Sequence, residues 1–425
     1  MGRKKIYAVI GAGTSIVLLL YFKYGNFIIG NLMGFFSFFN LNITVNKKDI
    51  IVPIAISYYT LQVIAYIFDV YYTKIEPEKN IFKYALFISF FPKLISGPIE
   101  KPSTFLKEIH RNDKGKVRGW NLYNIWGGCL LFIFGLFTKM VIADRIAVIA
   151  NTVFKQFYIY GSFELFIGMI AYSIQIYSDF NSYSLMALGM SKMFGYTMTN
   201  NFNAPYFSQS IKGFWRRWHI SLSQWLKDYI YIPLGGNRCN VLCQYRNLFI
   251  TFLVSGIWHG ASWNYVFWGA LHGIYQIIGS IIAPYRAKVE RHIKSSSISY
   301  KLGKVLTTYL LVSFAWIFFR IDNFSEGLFF IKRLCTKINL WAIFDGSLFA
   351  LGLDAKEITI LIIGLIIVFL ADKVLFRTKK TVDLFIEEQT LLFQIMCTVG
   401  LVVSIVLFGA YGEGYIENQF IYFQF

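Results

Sequence analysis

Two histidines sit in sequence of membrane type: His219 in Phe214-Trp215-Arg216-Arg217-Trp218-His219, and His259 in Gly256-Ile257-Trp258-His259-Gly260. Ionisable side chains beside long apolar runs are costly to keep dry, so an intramembrane histidine points to function. Neutral imidazole titrates close to cellular pH and serves as a proton acceptor, so the pair points to acid–base chemistry inside a bilayer. The other histidines weigh less. His272 follows on the apolar continuation as a packing or hydrogen-bonding residue, and His110 and His292 lie in basic loops. No His-x-x-x-His or Cys-x-x-Cys spacing occurs, and the five cysteines are scattered, which argues for free thiols and no bound metal. A Gly-rich phosphate loop and a Gly-x-Ser-x-Gly nucleophile motif are also lacking.

The elements that must position these groups are apolar. The 425 residues are 56% hydrophobic and only 15% charged, against roughly 25% charged in a soluble domain. At about 20 helical residues per span, crossing segments are expected near 6–22, 50–71, 81–99, 121–150, 160–178, 247–259, 262–283, 305–319, 357–371 and 391–410. Shorter candidates lie near 26–41, 183–197 and 342–353. Residues 1–425 thus read as one all-helical, polytopic membrane domain. The net charge of +18 gathers between the apolar runs, at Arg3, Lys4 and Lys5, at Lys101 to Arg118, at Arg286 to Lys304, and at Lys373 to Lys380. That is the positive-inside pattern and assigns these segments to the cytosol. None of them interleaves its positives with stacking aromatics, so nucleic acid is not an expected partner.

Segment 205–238 is the most unusual in the chain. Read as a helix, it carries Trp218, Leu222, Trp225 and Tyr229 on one stripe and Arg217, Ser221, Gln224 and Asp228 on another. It should lie in the interface or re-enter, in contact with lipid headgroups. His259 ends an apolar run and precedes Gly260-Ala261-Ser262-Trp263-Asn264. Thirteen helical steps from Arg246 carry it roughly 20 Å inward. Gly256 and Gly260 near His259, and Pro92, Gly97 and Pro98, interrupt apolar runs and imply broken helices around an internal chamber.

Four blocks carry a resemblance: Ser89-Phe90-Phe91-Pro92-Lys93-Leu94-Ile95-Ser96-Gly97-Pro98-Ile99; Tyr177-Ser178-Asp179-Phe180 with Asn201-Phe202-Asn203-Ala204-Pro205-Tyr206; Phe214 to Ser223 continuing to Gly235-Gly236-Asn237-Arg238; and Gly256-Ile257-Trp258-His259-Gly260. With the closing Phe420-Ile421-Tyr422-Phe423-Gln424-Phe425, the chain resembles the membrane-bound O-acyltransferase family, in its bacterial alginate and peptidoglycan O-acetyltransferase branch. The resemblance implies a ring of tilted helices around a central tunnel, and a chain preceded in the family by one or two further spans before Tyr21-Phe22-Lys23-Tyr24.

It further implies that His259 is the catalytic base, that His219 contacts the reacting groups or assists, and that acetyl-CoA is the donor, with no tightly bound cofactor. Arg216 and Arg217 would attract the donor's phosphates, while Trp218, Asp228 and Trp258 would shape the site. The acceptor would be an extracytoplasmic polysaccharide, reached through an SGNH-type acetyltransferase partner, and the location a bacterial cytoplasmic membrane. D-alanyl transfer to teichoic acid from a carrier-protein thioester is the runner-up. A scaffold that only recruits such a partner is another alternative. So is a proton-coupled transporter, in which Asp69, Asp144 and Asp179 would be the coupling carboxylates.

Overall fold

The computed structural model describes residues 2–41, 45, 51–95, 97–113, 121–292, 297–411 and 420–421. Parts of several expectations fall outside these residues: Lys114, Lys116, Arg118 and Lys294 of the basic loops, Ser96 of the first block, and residues 422–425 of the closing motif. Among the described residues every regular element is helical.

The order is α1 (Gly2–Leu19), α2 (Gly25–Phe38), α3 (Ile56–Tyr71), α4 (Ile81–Ser89), α5 (Pro102–Asp113), α6 (Leu122–Phe137), α7 (Asp144–Lys155), α8 (Ser162–Met193), α9 (Ile211–Trp215), α10 (Ile220–Leu226), α11 (Val241–His259), α12 (Trp263–His292), α13 (Ile298–Arg320), α14 (Phe324–Thr336), α15 (Ala355–Thr378), α16 (Val382–Glu387) and α17 (Leu391–Phe408). By length and composition six stretches can cross a membrane: Arg3–Phe38, Leu122–Lys155, Trp263–His292, Ile298–Arg320, Ala355–Thr378 and Leu391–Phe408. The chain is a polytopic membrane protein, and several expected spans are redrawn.

The runs at 6–22 and 26–41 form one helix, because a π-turn over Leu20–Tyr24 joins α1 to α2 without a break. The runs at 160–178 and 183–197 are likewise one helix, α8, in which the polar residues between them are buried in the interior instead of ending it. Expected span 81–99 stops at Ser89, where Pro92 forces a 3₁₀ turn over Phe91–Lys93. The stretch 342–353 is not a span but parts of two 3₁₀ turns, Leu340–Ile343 and Ser347–Leu351, bounded by Gly346 and Gly352 at positive φ. Gly256 does not break α11. It lies inside the helix, and a Cβ there would collide with the Tyr265 carbonyl oxygen of α12, so its role is close approach of two helices.

The core wraps the long α8. Its Leu165, Tyr172, Ile176 and Phe180 pack with Phe134, Ile142 and Val153 of the α6–α7 rod, and with Trp218, Trp268, Trp316 and Phe318 from later elements. The three carboxylates named above as possible coupling groups are each ion-paired. Lys139 Nζ lies 2.9 Å from Asp144 and 2.7 Å from Asp179, whose other oxygen accepts from the Ile421 backbone N–H. Asp69 pairs with Lys74 at 3.2 Å. The three carboxylates that a transporter would use therefore each hold a lysine, as buried charges require.

Candidate active site

Three of the four sequence blocks meet around His219. The expected continuous helix through this residue is interrupted, because His219 adopts left-handed backbone angles (φ 43°, ψ 56°) and separates α9 from α10. Histidine is among the side chains that tolerate this region, which costs of order 1–3 kcal/mol unless the surroundings hold it. Here they do. The Ile220 N–H donates to the Asn201 carbonyl at 3.0 Å, and the Ser221 hydroxyl donates to Asn201 Oδ1 at 2.7 Å while accepting from the Ile99 N–H at 3.0 Å. The Asn203 N–H closes the other side on the Arg217 carbonyl at 3.0 Å. Ser221, on the polar stripe, is buried and joins the first, second and third blocks. On the apolar stripe, Trp218, Leu222 and Trp225 are buried against protein.

The fourth block delivers His259 as the last residue of α11, whose N-cap Asn240 accepts from the Cys243 N–H at 2.8 Å. The extended Gly260 then carries the chain into α12. A helix end leaves carbonyls without intrahelical partners, and these are met from the π-turn between α1 and α2. Tyr24 Oη donates to the Ile257 carbonyl at 2.5 Å, while Lys23 Nζ donates to the Trp258 and His259 carbonyls at 2.9 and 3.1 Å. Trp258 Nε1 donates to the Ser57 carbonyl at 3.2 Å and pins the same end to α3. Lys23, Tyr24 and Ser57 were not singled out from the sequence as site residues. The available signal was a lone lysine inside an apolar span.

The indole of Trp258 lies edge-on to both histidines, with centroid separations of 4.9 Å to His259 and 6.1 Å to His219. His259 is further boxed by Trp268 and Phe319, each at 5.1 Å. It is only 4% exposed, yet it lines a cavity of about 650 Å³ together with Lys23, Tyr58, Trp258, Ser262, Tyr265 and Asp322. Exposed Val52, Ile54 and Asp322 are among the cavity's lining residues. His219 is fully buried and does not line it; its ring stacks edge-on against Phe180 at 4.8 Å. His272 is a hydrogen-bonding core residue, as expected, accepting from Trp215 Nε1 at 3.2 Å.

The remaining candidates lie away from the cavity. Arg217 donates to the Asn203 carbonyl at 3.1 Å and stacks over Phe376 at 4.5 Å, near the end of α15 that carries Arg377 and Lys379. Arg216 beside it is exposed. Asp228 pairs with Lys101 at 2.5 Å, at the start of the basic α5 segment. The cavity is at the opposite end of the helices: α12 leaves it at Trp263 and reaches Arg286, Lys288 and Arg291 only at its far end, and α13 returns from there to Arg320 beside Asp322. Trp218 packs between Tyr177, Phe202 and Trp316, within the wall that separates the two ends. An imidazole at a partly open chamber, backed by a second imidazole toward the other end, suits proton removal from a group that arrives by the cavity.

Comparison with known proteins places the chain among acyltransferases. The chain is 37% identical over 318 residues to a probable alginate O-acetylase AlgI of Pseudomonas putida, covering 75% of this chain and 62% of that protein. It is 36% identical over 357 residues to a peptidoglycan O-acetyltransferase of Helicobacter pylori, covering 78% and 65%. A teichoic acid D-alanyltransferase of Bacillus subtilis is 28% identical over 237 residues, covering 52% and 57%. The chain thus spans about three fifths of the length of these relatives. Residues 77–320, which contain both histidines, match the model of the membrane-bound O-acyltransferase family, to which the chain belongs.

Proposed function

We propose that the chain is an O-acyltransferase that moves an acetyl group from a cytosolic thioester, acetyl-CoA, to a hydroxyl on the extracytoplasmic side of a bacterial cytoplasmic membrane, with His259 as general base. The observation that carries this reading is the position of His259, nearly buried at the end of α11 yet on the wall of a chamber at the end of the helices away from the basic loops. With those loops in the cytosol, the chamber faces the acceptor. Exposed Arg216 and half-buried Arg217 lie at the donor's end and suit the phosphates of coenzyme A.

His259 takes the acceptor's hydroxyl proton as its oxygen attacks the thioester carbonyl. The C–S bond breaks, and the leaving thiolate takes the proton back from the imidazolium. His219, across Trp258, supports the base from the donor side. The acceptor is a polysaccharide hydroxyl or that of an extracytoplasmic SGNH-type acetyltransferase that passes the group on. D-alanyl transfer would use the same geometry. Acetyl is favoured because the relatives named for O-acetylation match at higher identity and over more of the chain than the D-alanyltransferase.

The test is transfer of labelled acetyl from acetyl-CoA by purified protein in lipid nanodiscs, with the wild type compared against His259→Ala and His219→Ala. Loss of a general base costs about 10²–10⁴ in rate, so His259→Ala should fall at least about 10²-fold, with a smaller loss for His219→Ala. Undiminished transfer without His259 overturns the mechanism. Transfer only from a D-alanyl carrier-protein thioester selects the runner-up.

A further inference from the structure

We propose that Lys23 is a positioning residue for His259, acting through the backbone at the end of α11 and not as a ligand for substrate charge; this rests on His259 being the base. Lys23 lines the same cavity as His259, so its ammonium could be taken for an anion-binding group. The geometry says otherwise. An ammonium has three N–H donors and no acceptor, and three oxygens receive them: Ser57 Oγ at 3.0 Å, the Trp258 carbonyl at 2.9 Å and the His259 carbonyl at 3.1 Å. All three are protein atoms, and two are the terminal carbonyls of α11, where a cation also meets the negative end of the helix dipole.

The adjacent Tyr24 reaches the same helix end, donating to the Ile257 carbonyl at 2.5 Å. Neighbouring residues of an α-helix point about 100° apart. Both side chains converge here in the π-turn Leu20–Tyr24, a widened turn of the kind found at functional sites. Three consecutive carbonyls, those of Ile257, Trp258 and His259, are thereby held from one turn of another helix, while Ser57 ties the same ammonium to α3. The His259 ring leaves the backbone at the last of these anchored residues, so its aim into the cavity depends on them.

Lys23→Met and Tyr24→Phe in nanodisc-held full-length protein test this by two readouts. In acetyl transfer, Lys23→Met should lower kcat at least tenfold with the KM of both substrates within twofold of wild type, and Tyr24→Phe should show the same split at about threefold. Independently of turnover, His259 carbethoxylation by diethyl pyrocarbonate, followed by mass spectrometry, should quicken at least threefold in Lys23→Met as the helix end loosens, with thermal unfolding confirming a folded protein. A raised KM with kcat retained makes Lys23 a substrate ligand and overturns the proposal, as does unchanged labelling. Should Lys23→Met not fold, Tyr24→Phe decides by the same measures. A wild type inert in acetyl transfer, with faster labelling in the variants, sinks the acetyl-CoA donor reading and leaves the positioning role standing.

Discussion

Asn201 shows how a residue outside the proposed proton transfer can hold the backbone at His219. Its carbonyl and side chain hold Ile220 and Ser221, the two residues after the left-handed His219, and its own Nδ2 donates to Ser184 at 3.3 Å on α8. With Asn201 fully buried, Asn201→Ala leaves the Ser221 hydroxyl proton and the left-handed turn without their side-chain partner. The expected cost is about 1–3 kcal/mol for the unsatisfied buried group, read as a lower unfolding temperature in detergent, together with a loss of transfer that Asn201→Asp partly restores. His219 and His259 were legible in the sequence because an ionisable side chain in apolar surroundings needs a reason. Asn201, Ser221 and Lys23 were less so, since what each one does depends on a partner more than 15 positions away in the chain.

At the scale of elements, the α11–α12 hairpin is the part that aims His259, the proposed base. Gly256 and Gly269 face each other at the crossing, and a Cβ on either would run into backbone of the other helix, at Tyr265 and Phe252 respectively. Gly256→Ala must therefore part the two helices, and overpacking of this kind costs about 1–3 kcal/mol. The expected outcome is a measurable drop in thermal stability with transfer lowered more than stability alone explains, because His259 lies three residues on. An unchanged unfolding temperature would count against the close crossing. The sequence suggested a helix break at this glycine. A small residue at a helix crossing and one at a helix break look alike along the chain, and only the neighbouring helix tells them apart.

The whole molecule has two ends of different chemistry. Basic segments, Arg217 and the Lys101–Asp228 pair share one end, while the His259 chamber with Ser262 and Asp322 lies at the other. This polarity yields a topological prediction. In a background without native cysteines, Ser262→Cys should react with a membrane-impermeant maleimide from outside intact cells, and Lys288→Cys only after permeabilisation. The reverse pattern would put the chamber in the cytosol and require the donor and acceptor sides to be exchanged. The buried Lys139–Asp144–Asp179 cluster fits a static bundle better than a proton path, since each carboxylate is held by a cation and Asp179 also by backbone.

By itself the sequence determined that this chain is helical and membrane-embedded, because apolar length and charge placement are local quantities that a bilayer reads directly. It also marked His259 and His219, since their cost is set by the residues beside them. What only the tertiary structure decided is who faces whom. The two histidines flank Trp258 instead of sharing the cavity, Arg216, Arg217 and Asp228 gather away from it, two pairs of expected spans fuse into single helices, and Lys23 closes the end of α11 from more than two hundred residues away. These outcomes turn on satisfying buried polar groups across the fold, a condition that no local stretch of sequence contains.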